Sequence, residues 1–189
     1  DSVKAERLTF REAYLRYAQV DPFTGSPDDF RLALKKNDVP DVEGSDSFTR
    51  EDWWDYLMVT LVESHLGKES PQFLMDYPES CAALAQTYVN AKGDRVAKRF
   101  ELYIRNMELC NGYEELTDAA EQRRRFEADI AWRKAQNKPV PAMDERFLAA
   151  LDHGMPAASG VAMGLDRLFM LALGKSKIED VVLFMDDNS

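Results

Sequence analysis

The amino-acid sequence predicts an α+β fold in which helices come first and an antiparallel sheet flanked by helices follows. In residues 1–70, apolar side chains recur three or four positions apart, which is the spacing of amphipathic helices. From Pro71 onward, short segments rich in strand-forming residues are separated by turn residues. We therefore predict two parts, a helical segment over 1–70 and a sheet-containing part over 71–189.

Three helices are predicted in the first part, and each follows a residue that commonly caps a helix N-terminus. The third helix carries a broad apolar face that includes adjacent tryptophans, which we expect to lie in the core. The capping residues are Thr9, Ser26 and Thr49, Pro27 takes the first position of the second helix, and the tryptophans are Trp53 and Trp54.

The second part is predicted to hold one strand over 72–77, a hairpin with strands over 100–104 and 107–116, and a last strand over 159–164. Arg105 and Asn106 form the predicted hairpin turn. Helices are predicted over 119–134, from Asp144 to near Gly154, and over 165–173, where Gly174 stops the chain's last helix.

The composition of the 189 residues fits one domain with a hydrophobic core. No apolar run approaches the roughly 20 residues of a membrane span, and no signal peptide opens the chain, so no membrane association is expected. Cys81 and Cys110 are too few for a disulfide framework, which indicates a reducing cytoplasm. The net charge of −10 argues against a broad nucleic-acid surface and therefore against tRNA binding.

The predicted hairpin carries two carboxylates on one face. A two-residue turn pairs Tyr103 with Glu108, which places Glu101 diagonally from Glu108. Two neighbouring carboxylates repel each other unless a cation lies between them, and Mg²⁺ bridging to phosphate is a natural partner. The alternative is a surface hairpin with ordinary solvated glutamates.

Three further polar residues, Asn111, Tyr113 and Glu115, follow on the second hairpin strand. They share a face, but strand alternation places that face opposite to Glu108. All of these side chains can enter one site only if an extra residue is inserted between Glu108 and Asn111. We therefore predict a β-bulge at that point.

Small residues alternate along the last strand at Gly160, Ala162 and Gly164, which allows a flat or bulky ligand to approach the backbone. Arg167 lies in the first turn of the helix that follows, where its guanidinium suits a polyphosphate. The alternative is a packed core strand with Arg167 in a structural pair with Asp166 or Glu108. The glycine pattern alone is neither a P-loop nor a dinucleotide fingerprint.

Other polar candidates have structural interpretations. His65 and His153 are predicted near helix C-termini, and Cys110 is predicted to be a small buried side chain. The run Arg123–Arg125 is flanked by glutamates and is predicted to be a solvated helix face.

Taken together, two segments resemble class II aminoacyl-tRNA synthetases of the lysine branch. The stretch from Gly160 to Leu168 is similar to motif 3 of that class, and the stretch from Phe100 to Leu116 is similar to the hairpin that precedes motif 3 in the lysyl enzyme. The resemblance implies that Arg167 is the catalytic arginine that binds the ATP tail. It also implies that Glu101 and Glu108 hold Mg²⁺ and ATP.

By the same resemblance, the amino-acid pocket is lined by hairpin and motif 3 residues, and the carboxylate of Glu115 pairs with a substrate ammonium. The implied pocket residues are Asn111, Tyr113, Glu115, Gly160 and Ala162.

Within that branch the chain is more similar to the GenX/PoxA paralogues, which modify translation elongation factor P. The similarity covers the whole length, including residues 6–14, 73–78 and 154–156. A lysyl-tRNA synthetase usually has glycine where this chain and the paralogues have alanine, at Ala162. The extra methyl group removes space from the pocket, which is expected to disfavour α-lysine and to favour β-lysine.

The resemblance thus implies a homodimeric enzyme that activates (R)-β-lysine with ATP and Mg²⁺ and transfers it to elongation factor P. Two alternatives stay open, a part of a true lysyl-tRNA synthetase and a synthetase-like binding module without catalysis. Motifs 1 and 2 of class II are not found before Pro71. The chain is therefore expected to form only the motif 3 half of the fold and to be inactive by itself.

Overall fold

The computed structural model describes residues 4–183, so residues 1–3 and 184–189 of the two predicted parts lie outside the described residues. The strands are β1 (Glu6–Thr9), β2 (Gln72–Pro78), β3 (Thr87–Val89), β4 (Arg95–Ile104), β5 (Met107–Glu114) and β6 (Ser159–Met163). The α-helices are α1 (Phe10–Ala13), α2 (Pro27–Lys36), α3 (Arg50–Leu57), α4 (Ala119–Ala135), α5 (Glu145–His153) and α6 (Leu165–Leu173).

The strands form a single sheet in the order β1-β2-β4-β5-β6, and β3 pairs separately with β4. The pair β1–β2 is parallel and the other pairs are antiparallel. The predicted α+β class is confirmed, but the sheet is mixed rather than purely antiparallel.

Two strands were absent from the prediction. One is β1, which lies in the segment predicted to be helical and pairs Glu6–Thr9 with Gln72–Met75. The other is β3, which has three residues along the start of β4. Segments this short carry too little alternation to be recognised without their partner strands.

The three predicted N-terminal helices are confirmed together with their caps. Thr9, Ser26 and Thr49 each form a capping box with the acidic residue three positions later. Helices α1 and α3 continue without a break into π-helical turns, Tyr14–Ala18 and Met58–Val62. The helices predicted after the hairpin, α4, α5 and α6, are also present.

The hydrophobic core lies between the N-terminal helices and the β1-β2-β4 half of the sheet. Leu8 and Leu74 from the strands join Tyr14, Trp53 and Trp54 in one buried cluster. The buried Tyr14 hydroxyl donates a hydrogen bond to the backbone oxygen of Trp54 at 2.6 Å. Both tryptophans are therefore core residues, as predicted. Within residues 4–183, none of the helices has the length and apolarity needed to cross a bilayer.

The opposite end of the sheet is open. Strand β6 is the outer strand, and its Val161 and Met163 are exposed. Helix α6 likewise exposes Leu165, Phe169 and Leu173. The site described next lies at the boundary between the packed half and this open edge.

Candidate active site

One face of the sheet collects the polar residues predicted from β4, β5 and β6. Residues paired directly across antiparallel strands share a face. The pairs that define this face are Arg99 with Tyr113, Glu101 with Asn111, Tyr103 with Glu108, Asn111 with Ala162, and Tyr113 with Gly160. The hairpin and motif 3 residues are thus neighbours on one surface.

The β-bulge predicted between Glu108 and Asn111 is confirmed. Tyr103 pairs with Glu108 and Leu102 pairs with Cys110, so Leu109 is the extra residue. If all four residues from Glu108 to Asn111 alternated regularly, Asn111 and Glu108 would face opposite sides of the sheet. The bulge therefore brings the acidic end of the hairpin and the predicted pocket residues onto one face.

Glu101 lies in a buried polar cluster and is 8% exposed. Its carboxylate accepts a hydrogen bond from the Tyr103 hydroxyl at 2.8 Å and pairs with the Arg99 guanidinium. Arg99 also donates to the backbone oxygen of Cys81 at 2.8 Å and stacks on the Tyr77 ring, 4.5 Å from its centroid. These contacts fix the carboxylate of Glu101 in one orientation.

The surroundings raise the pKa values of Arg99, Tyr77 and Tyr103. Burial alone would lower the pKa of Arg99, but the Glu101 carboxylate and Tyr77 raise it, so the guanidinium stays charged. Burial, followed by the charge of Glu101, raises the pKa of both Tyr77 and Tyr103. The Tyr77 hydroxyl is buried and forms no hydrogen bond within the described residues.

Glu108 is more open than Glu101. The Asn111 amide nitrogen donates to its carboxylate at 3.3 Å. Arg167 donates to the Glu108 backbone oxygen at 2.6 Å, and its Nη1 lies 3.6 Å from the Glu108 Oε2. The structural pair considered for Arg167 is therefore observed with Glu108. Both side chains remain partly exposed, so the pair is accessible to a ligand.

Glu115 reaches the same face from just beyond the end of β5. Its backbone N–H donates to the Ala158 oxygen at 2.9 Å, which ties it to the segment before β6. Its carboxylate lies directly over Gly160, since a Cβ atom added there would be 2.4 Å from the Glu115 Oε1. Gly160 is thus the residue that leaves room for this carboxylate.

The residues present fit Mg²⁺ that arrives with a phosphate better than a resident metal ion. Within residues 4–183, His, Cys, Asp and Glu side chains form no group of three or more that could hold a metal. Mg²⁺ is usually held by one or two carboxylates, with phosphate and water completing its shell. Glu108 offers such a carboxylate on the open side. Glu101 lies on the same sheet face, but its carboxylate oxygens already accept from Tyr103 and pair with Arg99.

Arg99, Tyr77 and Tyr103 belong to this site but were not singled out from the sequence. Arg99, Glu101 and Tyr103 alternate along β4, so the period of two would have placed them on one face. Tyr77 lies on another strand, where the sequence gives no signal of its position.

The structural interpretations of other residues are mostly confirmed. His65 stacks on the Tyr17 ring at 4.9 Å, His153 ends α5, and Cys110 is buried. The prediction for Arg123–Arg125 was wrong in part. Arg125 is not solvated but donates to the backbone oxygen of Ala85 at 2.7 Å, and this contact docks α4 onto the loop before β3.

Comparison with known families assigns the chain to a class. Residues 3–188 match the family described as tRNA synthetases class II (D, K and N). The chain therefore belongs to this family of class II synthetases, as its hairpin and motif 3 residues predicted.

Individual relatives of this chain share a name that is more specific than the family description. The chain is 44% identical over 184 residues to a protein of Proteus mirabilis named elongation factor P–(R)-β-lysine ligase, and the match covers 97% of this chain and 56% of that protein. Proteins of the same name from Edwardsiella ictaluri and Salmonella typhi are 44% and 41% identical, over 98% and 100% of this chain and 56% and 57% of their own lengths. The chain thus spans a little more than half the length of these relatives.

Proposed function

We propose that this chain forms the motif 3 half of an ATP-dependent ligase that activates (R)-β-lysine and transfers it to a lysine of translation elongation factor P. One observation carries the proposal. A single sheet face holds the carboxylate of Glu115 over Gly160, beside the open Arg167–Glu108 pair. A carboxylate suits a substrate ammonium, and a guanidinium with Mg²⁺ suits a polyphosphate, so one face can bind both reactants.

In the first step, a carboxylate oxygen of β-lysine attacks the α-phosphorus of ATP. The bond between the α-phosphorus and the bridging oxygen breaks, and pyrophosphate leaves as the aminoacyl adenylate forms. Arg167 neutralises charge on the phosphate tail, and Glu115, with Asn111 and Tyr113 beside it, orients the amino acid. Mg²⁺ held by Glu108 and Glu101 would supply further charge neutralisation.

In the second step, the ε-amine of a lysine on elongation factor P attacks the adenylate carbonyl. AMP leaves, the amine loses a proton, and an amide bond forms. Elongation factor P is proposed as the acceptor because relatives at 40–44% identity are named for this reaction. The paralogue resemblance further supports a homodimer of full-length chains, and the two free cysteines agree with a cytoplasmic location.

Ala162 is the proposed determinant of the amino acid. It pairs with Asn111 on the site face, so its methyl group occupies space next to the predicted pocket. This arrangement favours a substrate whose amino group is displaced from the α-carbon.

ATP–pyrophosphate exchange tests the proposal in a protein that carries this sequence at the full length of the relatives. We expect exchange with (R)-β-lysine to exceed exchange with α-lysine, and Ala162→Gly to raise the α-lysine rate. Ala142→Gly is the matched control, because it makes the same change at an exposed loop residue outside the site strands and should leave both rates unchanged. A wild-type preference for α-lysine would instead support a lysyl-tRNA synthetase, and no exchange with either would support a binding module.

A further inference from the structure

The tip of the β4–β5 hairpin has an unusual backbone for its residues. Arg105 and Asn106 both adopt left-handed conformations, with φ of 53° and 62°. Such two-residue turns favour glycine or asparagine, and a long side chain at positive φ costs about 1 kcal/mol. Asn106 is suited to this position, but Arg105 is not. The turn conformation therefore does not explain why this position holds an arginine.

The hairpin tip is held in place by the segment that precedes β2. The Arg105 N–H donates to the Gly67 oxygen at 2.6 Å, and the Asn106 N–H donates to the Leu66 oxygen at 3.1 Å. The Asn106 side chain donates to the Ser64 oxygen at 2.6 Å. A Cβ at Gly67 would lie 2.4 Å from the Tyr103 backbone, so the two segments are in close contact. The backbone of Arg105 is therefore held in place by these contacts.

Arg105 lines a cavity of about 430 Å³ next to the candidate active site. Arg167 and Glu108 line the same cavity, as do Glu63, Met107 and Met170. Arg167 uses Nη1 to bind the Glu108 backbone, which leaves its other guanidinium nitrogens available. Across residues 4–183, the exposed Arg105 guanidinium forms neither a hydrogen bond nor an ion pair. The cavity lining thus includes two arginines, Arg105 and Arg167, whose guanidinium N–H groups can donate to a ligand.

The charges of the cavity indicate which anion it accepts. Two arginines and two glutamates line the cavity, so the lining has no net positive charge to attract a free polyphosphate. A polyphosphate that brings Mg²⁺ satisfies both sets of groups, since the cation meets the carboxylates and the remaining phosphate oxygens meet the arginines.

We propose that Arg105 is a second arginine for the Mg²⁺-bound polyphosphate, acting opposite Arg167 on the β- and γ-phosphates of ATP and on the departing pyrophosphate. This inference rests on the proposed function, which it extends by a residue outside motif 3. Backbone contacts to Leu66 and Gly67 hold the tip beside the cavity that Arg105 lines, and the phosphate contact accounts for an arginine where glycine would fit the backbone more easily.

Isothermal titration of this chain with pyrophosphate, with and without Mg²⁺, tests the inference. Arg105→Gly relieves the backbone conformation, so we expect thermal stability to stay equal or to rise. Binding of Mg²⁺-pyrophosphate should nevertheless weaken about 10-fold, and Arg105→Lys should remain within about 3-fold of the wild type. Arg146→Ala is the matched control, because it removes an exposed cation from α5 at the same cost in net charge.

The outcomes separate this inference from the proposed function. Arg105→Gly that binds as tightly as the wild type overturns the role of Arg105, as does binding that does not need Mg²⁺. Neither result alters the preference between lysine isomers, which the exchange assay decides. In the full-length protein, Arg105→Gly should raise the KM for pyrophosphate several-fold and leave the KM for β-lysine unchanged. Equal effects on both constants would show a merely structural role.

Discussion

The two ends of the sheet differ in how their side chains are supported. At the β1-β2-β4 end, helices α1 and α3 cover the strands, and Leu74 is completely buried. At the β6–α6 end, Val161 is 61% exposed and Leu173 is 64% exposed. Glu101 is therefore held by a packed core, whereas Arg167 stands on an open edge. A site built across this boundary has one preorganised half and one half that lacks covering contacts.

Truncation of a leucine at each end provides the largest contrast. Leu74→Ala is expected to lower the free energy of unfolding by about 2–5 kcal/mol, because it leaves a cavity in the core. Leu173→Ala should change it by less than about 0.5 kcal/mol. Urea unfolding followed by circular dichroism measures both, and similar losses for the two variants would contradict the comparison.

The two arginine–glutamate pairs of the site offer the next contrast. Arg99→Met leaves the buried carboxylate of Glu101 without its cation, and we expect a loss of about 2–4 kcal/mol in unfolding free energy. Arg167→Met breaks a half-exposed pair and should cost less than about 1 kcal/mol. The same unfolding experiment applies here. A larger loss for Arg167→Met would mean that the open edge is better supported than the structure indicates.

The open edge should also promote self-association, because an outer strand with exposed apolar side chains can pair with another copy. Val161→Lys is expected to lower the apparent mass in concentrated solution while changing the unfolding free energy by less than about 0.5 kcal/mol. Light scattering after size exclusion measures the mass. Val59→Lys, at a valine that is 68% exposed on the helical side, serves as the control and should leave the mass unchanged.

The smallest expected effect concerns the cap of α1 in the packed half. The backbone N–H of Thr9 donates to the Glu12 carboxylate, and this bond lowers the pKa of Glu12 below its ordinary value. A lowered carboxyl pKa contributes stability above its ordinary value, and this contribution is lost as the pH falls through the folded-state value. Glu12→Gln should therefore cost about 0.5 kcal/mol at pH 7, and the difference from wild type should shrink below pH 4. Unfolding at both pH values checks this, with Glu43→Gln as an exposed control.

Much of this fold could be predicted because its signals are local. The capping residues Thr9, Ser26 and Thr49 each pair with an acidic residue three positions later, so a short stretch of sequence predicts each helix start. The turn at Arg105-Asn106 fixes the hairpin register. Strand β1 could not be predicted in this way. Its four residues become a strand only through pairing with β2, more than 60 positions later in the sequence.

The candidate site shows the same limit. Its primary residues lie on three strands. The turn and strand alternation place Glu101 and Glu108 on one face, and Asn111 joins them only through the bulge predicted between Glu108 and Asn111. The contacts that fix Glu101 involve Cys81 and Tyr77, which come from elsewhere in the chain. The exposure of β6 could not be predicted either, because the glycine and alanine pattern of that strand also fits a packed core strand.

The bulge at Leu109 has a consequence for how the length of this strand can change. Deleting Leu109 would leave Glu108 opposite Tyr103 and Asn111 opposite Glu101, because the remaining residues then pair without an interruption. Deleting Gly112 would instead turn Tyr113 and Glu115 to the other side of the sheet. The segment between Glu108 and Asn111 is thus a place at which deletion of one residue preserves the arrangement of the site. Among related sequences, the residue count between Asn111 and Glu115 is therefore a stricter marker of this site than the count between Glu108 and Asn111.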